Sequence, residues 1–374
     1  MKIGIMTMHR GNSYGSNLQA FALLEHLRQT HQCETEFIDF YPQNVEQHLY
    51  GPPQGSGWKN VAKSLLQGGR LAKARLKQQL FDDFAGRHYQ RGKRFKSVQE
   101  IFDNPPLYDV YITGSDQVFR ANKPGDGYLV NYLGFCPPGS YKIAYAGSFG
   151  QEEIPESRVS KVKELLLSLA QVSCREKDGC ELIKKLTGRD ALFVLDPVHL
   201  LTAGQWSVFG KPVEGLTPGY ILVYSLLRDE YMGDIVQKVK VMTGREVVVL
   251  DTSFPTKYKN CKYLYDIGPE QFLWLIEKAS FVITNSFHGT CFSVIFGKDF
   301  YSYDIKAPGF ITRSRNFLEA IGLGWRIIGS QGQVSEPDLS IDYPKVSEPY
   351  QAMIAKSKEY LDNAVRDYHN PHEV

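Results

Sequence analysis

The sequence predicts an α/β protein of two Rossmann-like lobes whose parallel sheets face a central cleft. Three observations carry that expectation. The chain has 374 residues, more than one core usually fills and enough for two. Short apolar runs alternate with helical periodicities, the mark of βαβ units with parallel strands and right-handed crossovers. The first such run also breaks at a glycine turn before a helix, the usual opening of a doubly wound sheet. With 43% hydrophobic and 22% charged residues, the chain falls outside the disordered class.

The elements follow in order. Residues 3–8 form an apolar strand, and the turn from His9 to Ser16 carries Gly11 and Gly15. Leu18, Phe21, Ala22, Leu24 and Leu27 then fall at helical spacing, and 35–40 is β-rich. Residues 58–96 read as a helical insertion strongly biased to Lys and Arg, from Lys59 to Lys96, against Asp82 and Asp83. That face is either solvated or a surface for anionic lipid or a diphosphate-bearing acceptor. Strands at 108–113, 142–146 and 172–174, with a helix at 157–170, complete a first lobe over 1–175. The second lobe, 176–345, takes strands at 192–195, 220–224, 246–250, 281–284 and 300–303. Its helices fall at 232–242, 271–278, 290–296 and 314–321. A polar stretch with Pro337, Pro344 and Pro349 precedes a terminal helix, 350–366, and the segment 346–374 is expected to pack back on the first lobe.

Composition narrows the function. Forty-three Lys plus Arg against forty-one Asp plus Glu leave +2, so nothing global marks a nucleic-acid binder, and an anion site must be local. The six cysteines show no CxxC pair or zinc-finger spacing, so they read as small buried residues of a reducing compartment, with no metal. The N-terminus carries no signal-peptide pattern and no run reaches the ~20 apolar residues of a membrane span, so a cytoplasmic location is expected.

The cleft between two such lobes is lined by strand ends and helix N-termini, the usual place for an anionic substrate. The turn GNSYGSN lacks the paired glycines of a dinucleotide fingerprint, which disfavours NAD. It reads as a structural turn capped by Ser16 or Asn17, or as one that also touches substrate. Gly114-Ser115-Asp116 and Gly147-Ser148 end two strands, where Ser115, Ser148 and Asp116 suit ligand hydrogen bonds. Asp116 is a candidate general base for a sugar hydroxyl, or else a helix cap. Arg175 ends another strand and needs an anion: Glu176, Asp196, another protein carboxylate, or a ligand phosphate or carboxylate. Asp196-Pro197 reads as a turn. The stretch Asn285-Ser286-Phe287-His288-Gly289-Thr290 runs from a buried strand into an apolar helix. Its amides suit a phosphate, and His288 suits hydrogen bonding or proton transfer to it. Arg313 and Arg315 precede the next helix, where a cation faces the positive end of the dipole and calls for an anion, either a ligand's or a carboxylate in a surface salt bridge.

GNSYGSNLQA (11–20), GSDQVF (114–119), AGSFG (146–150), SCREKDG (173–179), LDPVHLL (195–201) and NSFHGTCFSVIFGK (285–298) together resemble the polysaccharide pyruvyl transferase family over roughly residues 1–330. The resemblance implies a two-lobed fold similar to GT-B-like glycosyltransferases and transfer of pyruvate from phosphoenolpyruvate to two sugar hydroxyls, as a ketal, in capsule, exopolysaccharide or cell-surface glycan biosynthesis. It implies no cofactor, only phosphoenolpyruvate as co-substrate, and maps an anion-gripping Arg onto Arg175 and a phosphate-binding His onto His288. Some members have an Arg two residues before that His; here Ser286 stands there, so Arg313 or Arg315 is expected to supply the charge. The basic segment points to a lipid-diphosphate-linked sugar acceptor and peripheral contact with the inner membrane face. The alternatives are a nucleotide-sugar-dependent glycosyltransferase of the same architecture and a non-catalytic saccharide-binding protein.

Overall fold

The first strand, β1 (Lys2–Met6), is a buried run of alternating core contacts, and the chain leaves it through the turn that ends at Ser13. A computed structural model describes residues 1–42, 68–150, 153–227, 230–250, 258–304, 312–329 and 340–369. The first lobe continues with α1 (Tyr14–His31), β2 (Glu34–Phe40), α2 (Gly68–His88), β3 (Arg91–Phe95), α3 (Val98–Asp103), β4 (Val110–Thr113) and α4 (Gly127–Asn131). Then come β5 (Tyr141–Gly147), α5 (Glu156–Leu167), β6 (Gln171–Cys174), α6 (Lys177–Thr187) and β7 (Leu192–Phe193). A turn of 3₁₀ helix (Pro197–Leu200) and α7 (Ala203–Phe209) lead to β8 (Ile221–Tyr224), α8 (Glu230–Thr243), β9 (Val247–Leu250), β10 (Lys262–Leu264) and α9 (Pro269–Lys278). The second lobe closes with β11 (Phe281–Thr284), α10 (Phe287–Ile295), β12 (Asp299–Asp304), α11 (Thr312–Ala320) and β13 (Ile327–Gly329), before α12 (Tyr343–Arg366).

Among the described residues seven strands form one sheet in the order β3-β2-β1-β4-β5-β6-β7 and six form the other, β10-β9-β8-β11-β12-β13. Every pairing is parallel. The chain is therefore α/β with two doubly wound lobes, as the alternation predicts. The strand order reverses between β1 and β4 in one sheet and between β8 and β11 in the other, and open parallel sheets bind ligands at such switch points.

Four local expectations are corrected. The strand at 192–195, assigned to the second sheet, is β7, which pairs with β6 at the edge of the first (Ser173↔Leu192, Cys174↔Phe193); alternation alone does not say which sheet a strand joins. Within the basic segment, 91–95 is a strand along β2 rather than helix, its Arg91, Lys93 and Arg94 marking a charged sheet edge. Lys59 and Lys63 of that segment lie outside the described residues. Ser13, not Ser16 or Asn17, caps α1 through an acceptor for the Ser16 N–H. The terminal helix begins at Tyr343, since Pro344 sits in its first turn, where a missing N–H costs nothing.

The lobes share one core. Tyr14, Leu18 and Phe21 of α1 and Phe81 and Phe84 of α2 pack with Trp206, Phe272 and Phe292 of the second lobe. Tyr14 stacks on Phe272 at 4.6 Å and donates its hydroxyl to the Ile267 carbonyl at 2.8 Å. Helix α12 crosses to the first sheet, burying Leu361, Ala364 and Val365 with Ile3 and Ile143. Ser357 accepts the Leu195 N–H at 2.9 Å there.

Candidate active site

The carboxyl edge of the first sheet gathers charge where strands are buried on both faces. Asp116 follows β4, Ser148 follows β5, Arg175 and Glu176 follow β6, and Asp196 follows β7. Arg175 is 1% exposed, and its guanidinium donates from Nη1 to Asp196 Oδ2 at 2.6 Å and from Nη2 to Asp116 Oδ1 at 3.0 Å. Ser16, from the first turn of α1, donates to the other Asp116 oxygen at 2.6 Å. Ser115 Oγ lies 3.2 Å from Asp196 Oδ2 and 2.9 Å from the Ala146 carbonyl. Asp116 adopts φ 69°, a left-handed conformation that Asp tolerates and that turns its carboxylate back to the sheet edge.

The second lobe supplies the rest. Ser286 caps α10 by accepting the Gly289 N–H at 3.3 Å, so His288 lies in the first turn of that helix. Its Nε2 is 3.4 Å from Asp196 Oδ2, and it is 8% exposed. The other side of the ring meets α1: a Cβ on Gly15 would lie 2.0 Å from His288 Nδ1. A glycine in that turn is what lets the lobes bring the imidazole onto the carboxylates. Arg313, in the first turn of α11, stands over the Phe287 ring at 5.8 Å, which Arg175 also approaches at 5.0 Å. Among the described residues the Arg313 Nε has no hydrogen-bond partner.

Burial and charge set the protonation states. Burial alone raises a carboxyl pKa, yet Arg175 and His288 outweigh it and hold Asp116 below its ordinary value. The same balance, with His288 foremost among the opposing charges, depresses Asp196 further. Burial also opposes the Arg175 charge, but Asp116 and Asp196 more than offset it and push the pKa up. Glu176 goes the other way: burial raises it despite Arg175 and a hydrogen bond donated by Ser148. Arg313 is lowered by burial and by Arg175. One fixed guanidinium thus faces two fixed carboxylates, leaving the His288 ring, the amides of α10 and the Arg313 cation as the parts suited to an anion.

The candidates named from sequence divide sharply. Ser115, Asp116, Ser148, Arg175, His288 and Arg313 meet around one centre. Arg175 does so as the clamp of two protein carboxylates rather than as a free grip for a ligand. The depressed pKa of Asp116 makes it a weak base, suited to orienting a hydroxyl. Asn17 is committed to the turn, its Nδ2 donating to the Gly11 and Ser13 carbonyls at 2.9 and 3.0 Å. Asn285 ties down the loop after β8, accepting the Leu226 N–H at 2.7 Å and donating to Ser225 at 2.9 Å. Gly289 is needed for packing, since a Cβ there would lie 2.4 Å from Thr284 Oγ1. Thr290 donates to the Ser286 carbonyl at 3.1 Å and lies 3.1 Å from Ser302 Oγ. Arg315 pairs outward with Asp304 and Glu319 at 3.5 and 3.8 Å; residues two apart on a helix face different sides, so only Arg313 reaches the cleft. Asp196, read as a turn and as one of the possible partners of Arg175, is that partner and the hub of the site. A carboxylate at the carboxyl end of a buried strand, facing Arg175 across the sheet edge, was its signal. Among the described residues no cluster of three or more His, Cys, Asp or Glu side chains is arranged to hold a metal ion, and no helix is long and apolar enough to cross a membrane.

Solved structures similar to the chain share its two-lobed, GT-B-like architecture. A UDP-N-acetylglucosamine 2-epimerase matches with TM-score 0.56 at 8% identity, covering 100% of this chain and 97% of that one. The Rickettsia bellii UDP-N-acetylglucosamine 2-epimerase gives 0.53 at 9%, covering 99% and 97%. S. aureus MnaA, in its UDP co-structure, gives 0.51 at 11%, covering 99% and 97%. At such identities the likeness is one of fold alone. No curated protein matches the sequence. The family model described as polysaccharide pyruvyl transferase matches residues 14–306. A match that runs from the helix carrying Gly15 to beyond the helix carrying His288 spans both halves of the cleft, and it makes the chain a member of the polysaccharide pyruvyl transferase family.

Proposed function

We propose that the protein transfers the pyruvyl group of phosphoenolpyruvate to two hydroxyls of one sugar, forming a cyclic ketal in capsule, exopolysaccharide or cell-surface glycan synthesis. One observation carries the reading: the Arg313 guanidinium stands beside the first turn of α10 and His288 with no protein hydrogen bond to its Nε among the described residues. A donor with a phosphate and a carboxylate needs such a cation and a helix N-terminus together. An acid first protonates the methylene carbon of phosphoenolpyruvate. The resulting oxocarbenium carbon takes the first sugar hydroxyl, which gives up its proton. The C–O bond to phosphate then breaks, inorganic phosphate departs, and the second hydroxyl closes the ring as it loses its proton. The reaction consumes one donor and one diol and yields one ketal and one phosphate.

In this assignment Arg313 and the α10 amides hold the donor anion, stabilising charge as phosphate leaves. His288, oriented by Asp196, moves the proton. Asp116, fixed by Ser16 and Arg175, orients the acceptor hydroxyl. Phosphate release from phosphoenolpyruvate, measured over galactose-, mannose- and glucosamine-type acceptors, tests the reading. His288→Ala is expected to slow turnover by roughly 100- to 10,000-fold, and UDP or GDP is expected not to compete with phosphoenolpyruvate for the donor site. Unaltered turnover in that variant, or displacement of phosphoenolpyruvate from that site by the nucleotides, overturns the reading.

A further inference from the structure

On the far side of Asp116 from Arg175, a cavity of about 730 Å³ opens at the carboxyl edge of the first sheet. It lies at the β1/β4 switch point, where the loops after those strands diverge. Ser16 and Asp116 line it and also belong to the charged centre, so a molecule lying in it reaches the reacting atoms at one end only. Its charge is one-sided. Arg10 is neutralised by Asp39, which accepts from its Nε at 2.6 Å and also from Nη2. Asp116 is bound to Arg175. Among the described residues Arg120 has only neutral partners, Asn122 at 2.8 Å and Gln117 at 3.1 Å. Among the described residues the Lys96 and Lys123 ammonium groups make no ion pair, and the one carboxylate in the lining outside these pairs is Asp126.

The wall is built rather than incidental. The rim from 122 to 125 is exposed, yet Arg158 of α5 reaches across to hold it. Its guanidinium donates to the carbonyls of Ala121, Lys123 at 2.7 Å and Gly125 at 3.0 Å, while lying 4.6 Å from the Tyr128 ring. Three carbonyls on one half-buried cation fix the path of a loop that presents Arg120 and Lys123 to the cavity.

We propose that this cavity is the acceptor site and that the acceptor is a sugar carrying a diphosphate. The diphosphate is gripped by Lys96, Arg120 and Lys123, and the sugar points towards Asp116. Arg158 is a positioning residue for that grip. The inference rests on the pyruvyl-transfer reading for the direction of the sugar, not for the charge of the pocket. The test is titration of the full chain with inorganic pyrophosphate, by calorimetry at two salt concentrations, with phosphoenolpyruvate titrated in parallel. Pyrophosphate is expected to bind the wild type and the Arg313→Gln variant alike, and to bind Lys96→Gln/Arg120→Gln/Lys123→Gln at least about tenfold more weakly, with a shallower salt dependence. Arg158→Gln is expected to weaken it less, and Arg158→Lys to restore part of the loss. Displacement of pyrophosphate by UDP assigns a soluble carrier; displacement by a polyprenyl diphosphate in neutral phosphatidylcholine vesicles assigns a lipid one. Equal binding to wild type and triple variant, binding to neither, or displacement by neither competitor overturns the proposal. Phosphoenolpyruvate failing to bind, with the pyrophosphate pattern intact, strikes the donor reading and leaves the pocket standing.

Discussion

At the scale of single residues, the site separates side chains that hold the fold from one that is held in reserve. Asp196 and Arg175 have side chains that are 0% exposed, and their bond at 2.6 Å compensates burial of both, beside His288 for Asp196 and Asp116 for Arg175. Asp196→Asn leaves the guanidinium with Asp116 alone, and breaking a buried pair from one side costs about 3–5 kcal/mol. A urea melt is expected to show a loss of that order together with loss of phosphate release. A change under about 1 kcal/mol, the range of exposed pairs, would show that the network does not stabilise the fold. Arg313 is the contrast: burial and Arg175 already disfavour its charge. Arg313→Gln is therefore expected to leave the melt unchanged or slightly raised while the KM for phosphoenolpyruvate rises tenfold or more, in the range of about 1.5–3 kcal/mol for a charged hydrogen bond. A destabilised variant with unaltered KM would make Arg313 structural. Sequence showed which residue types stood at strand ends. Which of Arg313 and Arg315 faces inward, and whose anion Arg175 holds, depended on helix phase and on the packing of β6 against β7, neither of which a motif encodes.

At the scale of elements, the alternation of periods located most strands and helices but not their partners, because β7 could have completed either sheet by pattern alone. The helical reading of 91–95 failed for a related reason: charge bias describes exposure, and an edge strand is as exposed as a helix face. The terminal helix was legible as a helix, and one of the contacts that fix it to the body is made by a histidine of the LDPVHLL stretch to which no role was assigned. His199, in the 3₁₀ turn after Asp196, shares a hydrogen bond with Tyr350 of α12 at 2.8 Å and packs on Phe317 at 4.7 Å. Burial lowers its pKa to about 3, outweighing the pull of Asp196. Below the unfolded value of about 6.5 the unfolded chain binds a proton that the folded chain refuses, so stability falls as pH drops from there towards 3. This one group contributes a slope of up to about 1.4 kcal/mol per pH unit. His9, also lowered mainly by burial, adds in the same direction. The depressed carboxylates Asp196 and Asp362 lose their contribution only below about pH 4. Urea stability measured between pH 6.5 and 4.5 is expected to decline in the wild type and to decline by about one proton less in His199→Phe. Identical slopes would mean that His199 takes up its proton without opening the α12 contact.

At the scale of the whole molecule, two lobes were legible from length and repetition, but their fusion into one body was not. The helical periodicity of α1 announces a buried face without saying that half of it belongs to the other lobe. The contact is extensive: α1 and α2 insert Tyr14, Phe21, Phe81 and Phe84 into the second lobe's core. At the rim Glu270 takes Arg87 at 2.6 Å and Lys211 at 2.9 Å. A reaction centre assembled from Asp116 and Arg175 on one side and His288 and Arg313 on the other needs that rigidity, since misplacement by about 1 Å costs on the order of 100-fold in rate. Shared packing has a thermodynamic consequence: neither sheet can unfold without exposing the other's aromatic core, so the lobes are expected to melt as one cooperative unit. Of the four tryptophans, Trp206, Trp274 and Trp325 lie in the second lobe or the segment leading to it, while Trp58 lies outside the described residues. Tryptophan fluorescence is therefore weighted to the second lobe, whereas far-ultraviolet circular dichroism weighs both lobes. Coincident urea transitions by the two signals are the expected outcome in the wild type. Removing the Tyr14 ring, which stacks on Phe272 and bonds to Ile267, is expected to cost about 3–5 kcal/mol, as for other large buried aromatics. It should also split the two transitions by loosening the seam before either sheet. Separate transitions in the unaltered chain would show that the lobes are independent domains, and that the charged centre between them forms only when a ligand draws them together.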